Sequence, residues 1–344
     1  MSMMDVSTAY LLQQLRRDTN GLWLADENSR GIWATLANHS PALQVITNRF
    51  DLACAAQNCG IPASFCDWQF EPEMCFDAIF LRICKEKAIN QHLIREAFLH
   101  LNRGGNLLIA GEKNEGIKSI WEYACRVFHG EPRLKKQGST YAGILTKSSD
   151  HTVDETSPYH QIQIIGEWDG VPIFSKPGVY GWDKIDAGSA LLIEQLRLEN
   201  PLWADARSVL DLGCGYGFLT FASSWLRCER RVASDNNAGA LICTKKNADE
   251  RKLTVETVAA DKADRVDGKF DLVLCNPPFH RGFDVDGDLT RDFLVAAKRK
   301  LAVDGAAIFV VNSFIPLEKK LGGLFTHAQL LADNRQFKVL VLKH

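Results

Sequence analysis

The chain of 344 residues is predicted to fold as two tandem, doubly wound α/β domains that arose by duplication, residues 1–155 and 160–344. Three observations carry this expectation. In the second half, short apolar runs alternate with helical stretches, a pattern that calls for a parallel sheet covered by helices. A polar stretch without periodicity, from Ser148-Ser149-Asp150 to Pro158, separates the halves. Phe76-Asp77-Ala78-Ile79-Phe80-Leu81 in the first half is paralleled by Phe270-Asp271-Leu272-Val273-Leu274-Cys275 in the second, and the turn ending at Gly105 by the turn ending at Gly305. The length agrees, since single cores stop growing at roughly 250–300 residues.

In the second half, strands are expected near 209–211, 232–235, 257–260, 272–275 and 307–311, with helices at 218–226, 238–251 and 289–301. The run 270–275 is apolar, as a strand buried on both faces is, and a short β-branched strand leads into the glycine-rich turn after 212. A ligand of such a sheet sits at the carboxyl ends of the strands. The second copy carries six more residues than the first in the loop after position 279, where a substrate lid would sit.

The most informative stretch is Asn276-Pro277-Pro278-Phe279, directly after the apolar run 270–275. A residue before proline is held extended, and each proline lacks an N–H, so the carbonyls around Asn276 stay free to accept. An amide oxygen and a backbone carbonyl together take both hydrogens of a planar amine and aim its lone pair at an electrophile. Phe279 offers a face on which a base stacks. The bland alternative is a proline-terminated strand with an incidental aromatic.

Upstream, Ser208-Val209-Leu210-Asp211-Leu212-Gly213-Cys214-Gly215-Tyr216-Gly217 runs from a strand into a glycine turn. A dinucleotide fingerprint needs its third glycine at 218, which is Phe218, and no Lys-Ser or Lys-Thr pair follows as a P-loop requires. The turn instead resembles the first motif of class I S-adenosylmethionine (SAM) methyltransferases. By that resemblance Gly213, Cys214, Gly215 and Gly217 face the methionine part of SAM, and Asp211 anchors its ammonium. Asp235, followed by Asn236, ends the next strand, where a carboxylate accepts ribose hydroxyls. Asp261 ends the third and is placed to meet the adenine amine. Each acid alone reads as a solvated strand end. Their order, glycine loop, acid, acid and then Asn276, favours an enzyme.

As a set, these motifs resemble the bacterial 16S rRNA guanine-N2 methyltransferases of the RsmC type. The resemblance also rests on Pro177-Gly178-Val179-Tyr180, on Asp186-Ala187-Gly188-Ser189-Ala190-Leu191-Leu192, and on the closing strand that contains Phe337. It is specific across the second half and organisational in the first. It implies that SAM is the cofactor and 16S rRNA, within the small subunit or an assembly intermediate, the partner. It implies that Asn276, Pro277, Phe279 and His280 form the catalytic segment, and that Gly178, Val179, Tyr180, Asp186, Gly188 and Ser189 form a substrate-side segment. Antiparallel strands at 325–331 and 337–342 are implied likewise. Trp182 and Lys184 stand where the family carries arginine and glycine, and Asp261 where some relatives carry asparagine.

Methyl transfer of this kind is direct. The sulfonium makes methyl electrophilic, and the protein supplies orientation and desolvation. His280 is a candidate proton acceptor or a substrate contact. The guanine must be unpaired or flipped, at a cost of a few kcal/mol. Two other readings remain open: a methyltransferase on another planar amine (23S rRNA guanine, adenine N6 or a protein glutamine), or a SAM-binding RNA scaffold.

The first half offers Trp23-Leu24-Ala25-Asp26-Glu27-Asn28 in place of a glycine loop, Asn48 for Asp235 and Arg82 for Asn276. It is therefore expected to keep the fold, bind no cofactor, and stabilise its partner or orient RNA. The net charge of −2 gives no global attraction to RNA, so phosphate contacts require local patches. The basic runs 133–136, 227–231 and 298–300 are the candidates, each more readily read as a solvated face than as a phosphate site. The ten cysteines include no C-x-x-C pair, so no metal site is expected, and Cys75, Cys84, Cys243 and Cys275 read as small core residues. No run approaches the ~20 apolar residues of a membrane span. A cytoplasmic monomer is the expectation.

Overall fold

The computed structural model describes residues 4–344 except 17–18, 40–41, 132, 154–157, 279, 282–283, 286 and 318–320. Two compact units result, Met1–Gln161 and Ile162–His344.

In the first unit the strands are β1 (Gly21–Leu24), β2 (Leu43–Thr47), β3 (Ala63–Phe65), β4 (Phe76–Arg82), β5 (Leu101–Glu112), β6 (Lys135–Gln137) and β7 (Thr140–Thr146). They form one sheet in the order β3-β2-β1-β4-β5-β7-β6, parallel except for β7 and β6. Its helices are α1 (Val6–Gln13), α2 (Trp33–His39), α3 (Phe50–Asn58), α4 (Lys87–His100) and α5 (Ile117–Phe128). On α5, the buried Ile117, Ile120, Trp121, Ala124, Val127 and Phe128 recur at helical spacing, which makes one apolar face against the sheet.

The second unit opens with a hairpin of β8 (Gln163–Trp168) and β9 (Val171–Ser175). Its main strands are β10 (Ser208–Leu212), β11 (Arg230–Asp235), β12 (Glu256–Ala259) and β13 (Phe270–Cys275), and a small hairpin follows, β14 (His280–Arg281) with β15 (Asp284–Val285). The sheet is completed by β16 (Leu301–Asn312), β17 (His327–Asp333) and β18 (Phe337–Lys343), in the order β12-β11-β10-β13-β16-β18-β17. The helices are α6 (Ala187–Leu198), α7 (Phe218–Ala222), α8 (Ala238–Glu250) and α9 (Gly287–Lys300). Strand β13 is buried along nearly its whole length, as its continuous apolar run requires at the centre of a parallel sheet.

The two sheets have the same strand order, and they also share an irregularity. Pairing of β4 with β5 shifts between Phe76 and Ala78, and pairing of β13 with β16 shifts between Phe270 and Leu272. The expected duplicated architecture is therefore present down to one bulge.

Matching the registers shows which residues of the first copy stand at the positions of the second copy's candidate site. Trp23 lies opposite Phe80, two residues before Arg82, and Asp211 lies opposite Leu274, two residues before Asn276. Trp23 is fully buried and stacks on Phe80 at 5.5 Å, filling the place of the acid. Arg82, at the position of Asn276, is 4% exposed and paired with Asp5 at 3.1 Å and Glu115 at 2.6 Å. The place of Asp235 is taken by Thr47 rather than Asn48, a correction of one residue. The Arg49 N–H donates to Thr47 Oγ1 just as the Asn237 N–H donates to Asp235 Oδ1.

Other expectations are also corrected. The helix expected at 218–226 ends at Ala222. Buried Arg231 draws the carbonyls of Thr220, Ser223 and Leu226 onto its guanidinium, and the Ser223 hydroxyl donates back to Leu219 O. The strand expected at 325–331 begins at His327 and runs to Asp333. Cys75 is exposed and Cys84 only half-buried, whereas Cys243 and Cys275 are core residues as expected. Among the described residues no cluster of metal-ligating side chains occurs and no helix is long and apolar enough to cross a membrane.

Candidate active site

The glycine turn joins β10 to α7 with Gly213, Gly215 and Gly217 all at positive φ. At Gly217 the constraint is strict. Its φ is +86°, and a Cβ would lie 2.9 Å from Thr244 Oγ1 and 3.1 Å from the Thr244 backbone. Thr244 in turn donates to Gly215 O at 2.9 Å, so α8 braces the turn. Cys214 is buried beneath it, 3.3 Å from the Thr244 hydroxyl, and burial pushes its thiol well above the ordinary range.

Two carboxylates hold this turn from different strands. Asp211 Oδ2 accepts from the Thr220 N–H at 2.8 Å and its hydroxyl at 2.6 Å. Oδ1 of the same carboxylate is buried and has no hydrogen-bond partner among the described residues. Burial raises the Asp211 pKa to about 7, and nearby Asp235 adds to the shift. Asp235, at the end of β11, accepts from the Gly215 N–H at 2.9 Å and the Asn237 N–H at 2.8 Å. Asn236 follows, half-buried at the same strand end.

Asn276 lies at the carboxyl end of β13, the strand beside β10. Its Nδ2 donates to Asp186 Oδ1 at 2.7 Å and to Ser189 Oγ at 2.8 Å. Both hydrogens of the amide are thereby used, and Oδ1 makes no hydrogen bond among the described residues. Asp186 is the N-cap of α6, accepting from the Ser189 N–H at 2.7 Å. Gly188 lets this turn pack against Phe337, whose ring atoms would lie 3.0 Å from a Cβ there.

The substrate-side segment is tied to the cofactor side at two points. The Tyr216 hydroxyl, from the glycine turn, accepts from the Asp186 N–H at 3.2 Å and donates to Lys184 O at 3.3 Å. Asn237 caps α8 and also donates from Nδ2 to Gly178 O at 3.0 Å. Val179 is buried in the core, whereas the Tyr180 ring next to it is 65% exposed. Tyr216, Thr220 and Asn237 were not singled out from the sequence. Asn237 carries one legible signal, an asparagine immediately before a helix. The other two act only through the tertiary fold.

The structure thus brings Asp211, Gly213, Cys214, Gly215, Gly217, Asp235, Asp186, Ser189 and Asn276 to one end of the sheet. Pro277 is buried beside Asn276. Asp261 follows β12, with Oδ2 2.7 Å from Lys262 Nζ, so its nearest partner is its own neighbour. Phe279 and the side chain of His280 lie outside the described residues.

In two of the three basic runs most of the cations are engaged by neighbouring groups, although Arg227 and Arg299 are exposed. Arg230 pairs with Glu256 at 2.9 Å and Arg231 is buried on carbonyls. Lys298 and Lys300 donate to Leu324 O and Val266 O, and Arg299 donates to Lys262 O. In the third, Arg133 pairs with Glu131 at 2.9 Å, while Lys135 and Lys136 stay exposed.

A Rossmann-like sheet with a glycine turn at one strand end and an Asn-Pro-Pro segment at the next defines a methyltransferase of the class I type. The chain belongs to the methyltransferase small domain family, whose pattern matches residues 170–341; the N-terminal domain of that family matches residues 9–130. It is 28% identical over 276 residues to the ribosomal RNA small subunit methyltransferase C of Pseudoalteromonas atlantica, covering 78% of each chain. A Mannheimia succiniciproducens protein of the same name is 28% identical, covering 76% of this chain and 77% of that one. The fold matches the T. thermophilus 16S rRNA N2 G1207 methyltransferase (RsmC), solved in complex with AdoMet and guanosine. That match has a TM-score of 0.85 and 21% identity, over 99% of this chain and 92% of that one.

Proposed function

We propose that this enzyme transfers a methyl group from SAM to the exocyclic N2 of a guanine in small-subunit (16S) rRNA. The observation that carries the reading is the amide of Asn276, which stands at the strand end beside the glycine turn with both Nδ2 hydrogens donated and Oδ1 without a hydrogen bond among the described residues. An acceptor there suits a hydrogen-bearing amine.

The residues present fit SAM. The buried Oδ1 of Asp211, without a hydrogen-bond partner among the described residues, suits an ammonium, and Asp235 stands at the strand end where a carboxylate accepts ribose hydroxyls. Asp261 is the candidate partner of the adenine amine. When bound, SAM supplies the electrophilic methyl carbon. The chain's own contribution is orientation: Asn276 Oδ1 takes one amine hydrogen and the carbonyl of its Asn-Pro peptide takes the other. That points the nitrogen lone pair away from the protein contacts and along the line of transfer. No covalent intermediate is needed. His280 is a candidate to take the released proton, and Phe279 and Tyr180 are candidates to stack on the base. Residues 1–161 bind no cofactor in this reading and stabilise the catalytic unit or orient rRNA, and the enzyme works as a cytoplasmic monomer.

Incubating the enzyme with methyl-labelled SAM and, separately, 16S rRNA, 23S rRNA, small subunits and total protein tests the proposal. Label is expected in 16S rRNA or the small subunit. Label confined to 23S rRNA or to protein contradicts the substrate assignment.

A further inference from the structure

We propose that Asp186 and Ser189 are positioning residues that fix which way the Asn276 amide faces, and so restrict the site to atoms that bear hydrogen. This deepens the reading of the reaction given above and rests on it. An asparagine amide has two ends of nearly equal size and opposite polarity, and a half-turn exchanges an acceptor for two donors. Nothing in the Asn-Pro-Pro segment itself decides between them.

Helix α6 decides it. Asp186 Oδ1 and Ser189 Oγ lie 2.7 and 2.8 Å from one atom of Asn276, and a carboxylate only accepts. The atom between them must therefore be Nδ2. Turning the amide over would set Oδ1 against the Asp186 carboxylate, with no hydrogen between two acceptors. The Ser189 hydroxyl is itself buried, 5% exposed, so water does not readily replace it. Asp186 in turn is held at both ends. Its carboxylate caps α6 through the Ser189 N–H, and its backbone N–H donates to Tyr216 of the glycine turn.

The consequence is chemical selection. With Oδ1 outward, the site welcomes an NH2 group and disfavours a bare ring nitrogen or carbonyl oxygen, because acceptor would meet acceptor. A guanine offers N2 as such a donor next to the acceptor N3. An amide free to turn would present its own NH2 to the target amine for part of the time, and those complexes would be unproductive without being weaker in the remaining contacts. The expected signature is a loss in kcat at constant KM.

Four variants of the full chain separate positioning from helix capping. Ser189→Ala removes one acceptor, and Ser189→Thr keeps it. Asp186→Ser keeps an N-cap but is too short to reach Asn276, and Asp186→Asn keeps an oxygen able to accept in place. Methylation of small-subunit rRNA, SAM affinity by calorimetry and thermal midpoint are measured for each. Ser189→Ala and Asp186→Ser are expected to lose about tenfold in kcat, the worth of one well-placed hydrogen bond. KM for RNA, SAM affinity and midpoint should stay near wild type. Ser189→Thr and Asp186→Asn should recover most of the rate. Wild-type kcat in Ser189→Ala and Asp186→Ser, or a rise in KM matching the loss in rate, would overturn the positioning role while leaving the reaction intact. A wild-type enzyme that labels no RNA overturns both.

Discussion

Asn276 and Asp211 illustrate how a site residue becomes useful through what its other atoms are doing. The Asn276 nitrogen is tied down, which leaves its oxygen to the substrate. Asn276→Ala should lower single-turnover methylation by about 2–4 kcal/mol of transition-state stabilisation, in line with other preorganised polar groups. SAM affinity should stay within a few-fold of wild type. Near-normal turnover would remove the residue from the site. For Asp211, one oxygen is committed to Thr220 and the other is buried alone. Its pKa is raised to about 7, so between the ordinary carboxylate range and 7 the folded chain holds a proton that the unfolded chain has lost. Stability of the unliganded protein from this group therefore falls as pH rises through that window. SAM affinity should move the opposite way, because an ammonium needs the ionised carboxylate. Below about pH 7 it should weaken by up to about tenfold per unit, and a flat calorimetric profile between about pH 6 and pH 8 would contradict the assignment. The acids were legible because strand-end carboxylates after apolar runs stand out. Thr220 and Tyr216 were not, since their partners lie across turns that only the folded chain closes.

The glycine turn and the short helix behind it show how far element boundaries follow from pattern. Apolar residues resume at Trp225 and Leu226 after Ser223-Ser224, and serine alone does not fix the end of α7 at Ala222. Buried Arg231, arriving from β11, takes the carbonyls that another helical turn would have used. In contrast, the turn itself was readable, because glycine spacing reflects backbone geometry directly. Gly217→Ala tests that geometry. The residue needs a positive φ, and its Cβ would press on the Thr244 backbone. A loss of about 1–3 kcal/mol in stability is expected, with weaker SAM binding because the brace from α8 shifts. An unchanged melting temperature would mean that the turn tolerates a side chain there.

Two copies of one sheet, the first divergent from the second, account for the organisation of the chain. The repeat was visible in Phe-Asp before a strand and in the glycine at 105 and 305. Assigning Asn48 to the place of Asp235 was one residue off, because the glycine turn that would set the register is missing from the first copy. The divergence there is physical: Trp23 fills the place of an acid, and Arg82, paired with two carboxylates, fills the place of the asparagine. Calorimetric titration of the intact chain should accordingly find one SAM per molecule, and a second site would contradict the decay of the first copy.

The central claim is that the acceptor at Asn276 serves the N2 amine of a guanine. Small-subunit rRNA treated with the enzyme and methyl-labelled SAM, digested to nucleosides and separated, tests it most directly. The account predicts that the label elutes as N2-methylguanosine. Label in N6-methyladenosine, in a ring-nitrogen methyl or in no nucleoside at all would contradict it.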